Sequence, residues 1–238
     1  MNHKAIRKAL VTGATRGIGL AVAEKLLEQG YEVLSTGTQK NPKTAKGSDY
    51  KQVDFTSAVS IKNFLSFLGN SNFDILVNNA GINHIDKFTE IKEDDFNRIL
   101  DVNLKAPFLI SQAVVKKMKE SNWGRIINVT SIFSKVSKES RASYSASKFA
   151  LDGLTAAMSA ELSSSNILIN SVSPGFIETD LTKNILGRAG IKEIQKSIPI
   201  GRLGSVEEIA SFIAWLVSDE NTYISGQNLV IDGGFIRV

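Results

Sequence analysis

Ala9-Leu10-Val11-Thr12-Gly13-Ala14-Thr15-Arg16-Gly17-Ile18-Gly19 is the stretch on which the reading of this chain turns. A short apolar run, as in a buried strand, passes through three glycines straight into residues 18–29, whose apolar side chains recur at helical spacing. Small residues in such a turn let the backbone approach a pyrophosphate, and the helix behind it offers free N–H groups and positive potential. Three glycines at this spacing are a weak signal alone. The strand before and the amphipathic helix after make Gly13, Thr15, Arg16, Gly17, Ile18 and Gly19 candidate phosphate-loop residues.

Outward from this stretch the same alternation repeats. Strand-like runs fall at residues 9–12, 32–36, 50–53, 75–78, 124–130, 167–173 and 228–231, with helical periodicity at 18–29, 58–68, 93–119, 143–162 and 206–218. The pattern predicts α/β architecture: a doubly wound, Rossmann-like parallel sheet with helices on both faces. No linker, repeat or low-complexity tract divides residues 1–238, so a single domain is expected. Pro42, Pro174 and Pro199 lie outside the helical runs, whereas Pro107 should kink or break the 93–119 run. Residues 181–200 are the least regular part and read either as a substrate lid or as an ordinary surface connection.

Composition narrows the function. Of 238 residues 42% are hydrophobic and 22% charged, the balance of a globular chain with a real core. The 28 basic and 24 acidic side chains give +4 without a basic block, which argues against nucleic acid as a partner. There is no cysteine, so disulfides, thiolate metal sites and thiol nucleophiles are excluded. Only His3 and His84 carry imidazole, which argues against a metal cluster or a serine–histidine–aspartate triad. The opening MNHKAIRKALVTG lacks the apolar core of a signal peptide, and no stretch approaches the roughly 18 apolar residues of a membrane span; a cytoplasmic location without membrane contact is expected.

The end of the second strand bears on the cofactor. Dinucleotide folds that take NAD place a carboxylate there for the adenosine ribose, and this acid would repel a 2′-phosphate. Residues 32–36 run instead into Gly37, Thr38, Gln39 and Lys40. Arg16, Thr38 and Lys40 can surround a phosphate, Lys40 being equally readable as a solvated lysine, so NADP(H) is expected.

Tyr144 and Lys148 are four residues apart and therefore share one helix face. An ammonium beside a phenol lowers the phenol pKa and lets tyrosine exchange a proton near neutrality. Ser131 ends a strand thirteen residues earlier, where its hydroxyl can hold a carbonyl oxygen as charge develops.

With these residues the chain resembles the short-chain dehydrogenase/reductase family, in the subgroup that includes 3-oxoacyl-(acyl-carrier-protein) reductases. The resemblance spans nearly the whole chain: residues 12–19, Asn78-Asn79-Ala80-Gly81, Asn103, Ser131, Tyr144, Lys148, Pro174-Gly175 and Ile200-Gly201-Arg202-Leu203-Gly204. It implies that Tyr144 gives its proton to the carbonyl oxygen, Ser131 orients that oxygen, and Lys148 binds the nicotinamide ribose. It implies further that Asn103 holds a water in a relay to Lys148. Ile177 and Thr179 would contact the nicotinamide carboxamide, Asp54 the adenine, and Asn79, Ala80, Gly81, Pro174 and Gly175 would also line the cofactor site. An NADP(H)-dependent reductase of carbonyl groups follows.

The substrate stays open between an acyl thioester on a carrier protein and a sugar or other small ketone or alcohol. Carrier-protein reductases of the family are expected to place basic residues beside the active-site entrance, and the corresponding Asn122 and Ser165 are neutral. Lys135, Lys138 and Arg141 read as a solvated charged loop, with steering of an anionic substrate as the alternative. A third reading, a nicotinamide-binding regulator without turnover, is disfavoured by the intact catalytic set. The resemblance implies a homotetramer or homodimer built on two long helices and a tail in which Phe235, Ile236 and Val238 are apolar.

Overall fold

Alternation along the apolar runs builds a sheet with two buried faces. The computed structural model describes residues 6–238, and His3 lies outside the described residues. Seven parallel strands are ordered β3-β2-β1-β4-β5-β6-β7. They are β1 (Lys8–Val11), β2 (Glu32–Gly37), β3 (Asp49–Gln52), β4 (Ile75–Asn78), β5 (Gly124–Val129), β6 (Ile167–Pro174) and β7 (Asn228–Ile231). Ala9 and Val11 of β1, with Ile75, Val77, Ile127 and Val129, face α1 (Gly17–Glu28) and α7 (Val206–Leu216), where Val22, Leu26, Ile209 and Ile213 meet them. Leu10, Leu76 and Ile126 point the other way, onto Phe64 and Leu68 of α2 (Ala58–Gly69) and Ile110, Val114 and Met118 of α4 (Ala106–Ser121). Full burial of a leucine such as Leu26 contributes about 1.5–3 kcal/mol.

All seven expected strands are present, with ends shifted by at most one residue. Because β1 lies between β2 and β4, the strand order reverses there, and the crevice outside the carboxyl ends at that reversal is where such sheets bind ligands.

Two helical readings need correction. The 93–119 run divides into α3 (Glu93–Leu100), a π-helical turn (Asp101–Lys105) and α4. Pro107 does not break a helix; it sits in the first turn of α4, where its missing N–H costs nothing, and the irregularity precedes it. Residues 181–200 are mostly helical, as α6 (Asp180–Ser197), interrupted only at Gly187 (φ 61°, ψ 178°). Two scattered glycines masked the helical period.

The longest helix, α5 (Ala142–Leu162), buries mainly small polar residues. Asn78 Nδ2 donates to Asn128 Oδ1 (2.9 Å), Asn128 Nδ2 donates to Thr155 Oγ1 (2.8 Å), and Thr155 and Ser171 share a 2.8 Å hydroxyl bond. A buried network of this kind, in which only Asn78 Oδ1 lacks a partner, fixes a helix on its sheet more specifically than leucine packing does.

Candidate active site

The loop after β1 is tied from behind by the segment after β4. Thr12 Oγ1 accepts from the Asn79 and Ala80 amides at 3.0 Å each, while Asn79 Nδ2 donates to the Thr12 and Gly13 carbonyls, also at 3.0 Å. A Cβ on Gly13 (φ 65°) would lie 2.9 Å from Ala80 Cα, and one on Gly19 would overlap Asn79 Nδ2 and the Gly13 carbonyl. Asn79, Ala80, Gly13 and Gly19 are thus brought together, the first two as braces of the loop. No side chain caps α1 and no acid sits in its first turn, so its N–H groups stay open to an anion. Thr179, which caps α6, meets the loop from the far side: a Cβ on Gly17 would touch its Cγ2 at 3.6 Å.

At the β2 end, Thr15 packs against Gly37, which sets neighbouring Arg16 and Thr38 on the same corner; a Cβ on Gly37 would lie 2.6 Å from Thr15 Cγ2. Arg16, Thr38 and Lys40 are exposed, and among the described residues neither the Arg16 nor the Lys40 side chain has a hydrogen bond or ion pair. Two residues outside the sequence-derived set shape this corner. The Tyr50 hydroxyl reaches the carbonyls of Gly37 (2.9 Å) and Gln39, and Gln52 Nε2 donates to the Thr38 carbonyl (2.9 Å). Burial raises the Tyr50 pKa, keeping it a donor. Asp54 Oδ1 accepts from the Thr56 amide (2.9 Å) and hydroxyl (2.7 Å), which hold its carboxyl below the usual range.

The four catalytic candidates converge at the carboxyl end of β5. Lys148, buried, donates to the Val129 carbonyl at 2.8 Å. Asn103, fully buried on the π-helical turn, accepts from the Ile82 amide and donates to the Ile82 carbonyl, both at 2.9 Å, and donates to Ser147 Oγ at 3.0 Å. Ser147, missed in the sequence, bonds the Tyr144 carbonyl at 2.7 Å and so couples Asn103 to α5. Gly81 lies against both: a Cβ there would sit 3.5 Å from Asn103 Oδ1 and 3.6 Å from Lys148 Nζ.

Ser131 caps the turn Ile132–Ser134, accepting from the Phe133 amide at 3.2 Å, and its hydroxyl stands near enough to Tyr144 to lower the phenol pKa. The capping role fixes the hydroxyl without preventing the catalytic one. Burial raises the Tyr144 pKa, opposed by the Ser131 hydroxyl and by Arg141. Lys148 Nζ lies 5.7 Å from the Tyr144 ring centroid, and burial brings Lys148 itself down to about 8. If the charged lysine is required, kcat/KM for the nucleotide will fall as pH rises through about 8; a flat profile from pH 7 to 9 would remove that requirement. The stability linkage has the opposite sign. Between about 8 and the ordinary lysine value the unfolded chain holds a proton that the folded chain does not, so stability from this group rises with pH there.

The remaining candidates lie on the rim. Gly175 follows β6, and its amide donates to the Ile231 carbonyl at 2.9 Å. The Ile177 side chain is packed in the core beside Gly204, so only its main chain can meet a ligand. Arg202 of the resembling 200–204 stretch is structural, forking onto Glu208 at 2.7 and 2.9 Å beneath the α7 cap.

A family model described as enoyl-(acyl carrier protein) reductase matches residues 13–236. The chain belongs to the short-chain dehydrogenase/reductase family. Among its relatives, the 3-oxoacyl-(acyl-carrier-protein) reductase FabG of Salmonella typhimurium is 40% identical over 242 residues, covering 97% of each chain. A gluconate 5-dehydrogenase from Burkholderia cenocepacia, solved with NADP and tartrate, superposes with a TM-score of 0.90 at 31% identity, covering 98% of this chain and 96% of that one. A 4-hydroxyisoleucine dehydrogenase mutant solved with NADH and succinate gives 0.91 at 35% identity, with 98% and 99% covered.

For a short-chain dehydrogenase/reductase the residues present fit a nicotinamide dinucleotide: an uncapped helix end, a glycine cradle that a Cβ would fill, and an unpaired Arg16 beside it. Asn122 and Ser165 require a correction. They precede β5 and β6, at the amino ends of the strands, so within one chain they do not border the crevice. The charged loop is corrected at one residue: Lys138 and Lys135 are exposed, Lys135 pairing with Asp152 at 3.4 Å at the surface, but Arg141 is buried.

Proposed function

We propose that this protein is an NADPH-dependent reductase of 3-oxoacyl thioesters. The observation that carries the reading is the convergence of Ser131, Tyr144 and buried Lys148 at the carboxyl end of β5. Bound NADPH supplies the hydride. Ser131 donates to the ketone oxygen and orients it, and Tyr144, kept protonated by its raised pKa, transfers its proton to that oxygen. Lys148 positions the nicotinamide ribose and replaces the proton, and Asn103 holds the Ile82 backbone and, through Ser147, the start of α5 in register for the relay. The loop of Gly13, Thr15, Arg16, Gly17, Ile18 and Gly19 takes the pyrophosphate, and Arg16 with Thr38 takes the 2′-phosphate. Asp54 receives the adenine, Asn79, Ala80, Gly81, Pro174 and Gly175 line the cleft, and the Ile177 main chain with Thr179 meets the carboxamide. Helix α6, hinged at Gly187, covers the substrate.

The FabG relatives favour a carrier-bound acyl group, and the gluconate 5-dehydrogenase likeness keeps a sugar or hydroxy acid as the second reading. NADPH oxidation with acetoacetyl thioester, NADH and crotonyl thioester as controls, tests the first. Turnover of the ketone preferring NADPH is expected; binding of NADPH without thioester turnover would move the assignment to keto-sugars.

A homotetramer, or a homodimer, is supported by exposed Phe108 on α4, Phe149 on α5 and Val238 at the tail, with half-buried β7 at the sheet edge. No helix among the described residues is long and apolar enough to cross a membrane, and the lack of cysteine suits a reducing compartment such as the cytoplasm.

A further inference from the structure

Two arginines are buried in this chain, and they differ in what they do. Arg125, 3% exposed, donates through Nη1 and Nη2 to the carbonyls of Gly124 (2.8 Å), Asn166 (3.1 Å) and Asn221 (3.1 Å), leaving only its Nε without a partner. Arg141, 7% exposed, has no partner for Nε or Nη1, and its guanidinium makes no hydrogen bond or ion pair among the described residues. Burying a cation without a hydrogen-bond or ion-pair partner is unfavourable, and the Phe133 ring offsets only part of that cost.

The location of this charge is fixed. Arg141 precedes α5 by one residue and Tyr144 by three. Its Cζ lies 5.6 Å from the Phe133 ring centroid, and that ring meets Tyr144 edge-on at 6.3 Å. Arg141 and Tyr144 are near enough for each to shift the other's proton affinity. Ser140, just before it, holds the left-handed conformation at φ 62°, a cost of the kind met where a side chain is held for a ligand. The guanidinium therefore stands over Phe133, the ring that packs on the proton donor Tyr144, with its donors unused.

We propose that Arg141 anchors a carboxylate on the substrate, and that the protein therefore also reduces free oxo acids in which a carboxylate lies close to the ketone, such as 3-oxo acids. A planar guanidinium matches a carboxylate in shape and charge, whereas the neutral carbonyl of a thioester leaves it uncompensated. In the reaction the hydride of NADPH goes to the ketone carbon and the Tyr144 proton to its oxygen. The products are the hydroxy acid and NADP+, and the carboxylate is unchanged. The inference rests on the ketone-reductase reading of the same site.

Three substrates separate the two: acetoacetate, its methyl ester, and acetoacetyl N-acetylcysteamine thioester. We expect the native protein to favour acetoacetate over the ester by at least about tenfold in kcat/KM, and Arg141→Gln to lose about 100-fold on acetoacetate while the ester and thioester change less than about threefold. Arg141→Lys should retain part of the preference. Succinate, which carries no ketone, should raise the melting temperature of the native protein bound to NADPH and not that of Arg141→Gln; without ligand the variant should melt no lower than the native protein, since it loses an unpaired charge. Equal loss on all three substrates with a lowered melting temperature would make Arg141 a structural residue and overturn the proposal. Thioester turnover without acetoacetate turnover or a succinate shift would overturn it while the reductase reading stands. If no ketone is reduced, that reading falls, and the succinate shift in the two proteins still decides whether Arg141 holds a carboxylate.

Discussion

Tyr144→Phe is expected to lower kcat for ketone reduction about 1000-fold, within the usual contribution of a positioned proton donor, and to leave NADPH affinity within about twofold. The substitution removes one oxygen. The ring still packs edge-on against Phe133, and Lys148 keeps its bond to the Val129 carbonyl, so the helix face and the ribose site survive. What is lost is the proton that must reach the ketone oxygen as hydride arrives. Because burial raises the Tyr144 pKa, the phenol is protonated at neutral pH, the state needed for reduction. In the reverse direction the phenolate is needed, so alcohol oxidation should rise with pH where reduction does not. Stopped-flow NADPH fluorescence measures binding and turnover in one sample. A variant retaining more than about a tenth of native kcat would show that another group, or water, supplies the proton.

The inner strands were legible because β1, β4, β5 and β6 are short runs buried on both faces, and a parallel sheet leaves that mark on composition. The Tyr144–Lys148 pair was legible because four-residue spacing on a helix fixes proximity without knowledge of the fold. The buried network around Asn128, Thr155 and Ser171 was not, since its members come from three elements and look individually like surface residues. Its one local sign was polar residues inside otherwise apolar strands, as in Ile-Leu-Ile-Asn-Ser-Val-Ser-Pro of β6, where every residue is buried. Arg141 was misread for a related reason. A charge among Ser, Lys and Glu looks solvated, and only packing against Phe133 reveals that it is buried. Tyr50 and Gln52 were invisible as well, because they act on backbone carbonyls thirteen and fourteen residues earlier in the chain.

Thr38→Asp should invert the cofactor preference, lowering the NADPH-to-NADH ratio of kcat/KM by about 100- to 1000-fold. Thr38 directly follows β2 on an exposed corner beside the phosphate loop, and the Gln52 bond to its carbonyl holds the backbone there whatever the side chain. A carboxylate at this point accepts from the ribose hydroxyls of NADH and repels the 2′-phosphate of NADPH. Losing a charge-assisted hydrogen bond of about 1.5–3 kcal/mol and adding repulsion together reach that range, at about 1.4 kcal/mol per tenfold. Arg16→Ala should weaken NADPH alone, by a smaller factor that shrinks in high salt, because the Arg16 guanidinium is exposed and its attraction is screened. If Thr38→Asp leaves the ratio unchanged, the 2′-phosphate does not lie at the end of β2. Arg16 would then have to reach it from the loop alone, and the salt dependence of the Arg16→Ala effect would become the measure of that contact.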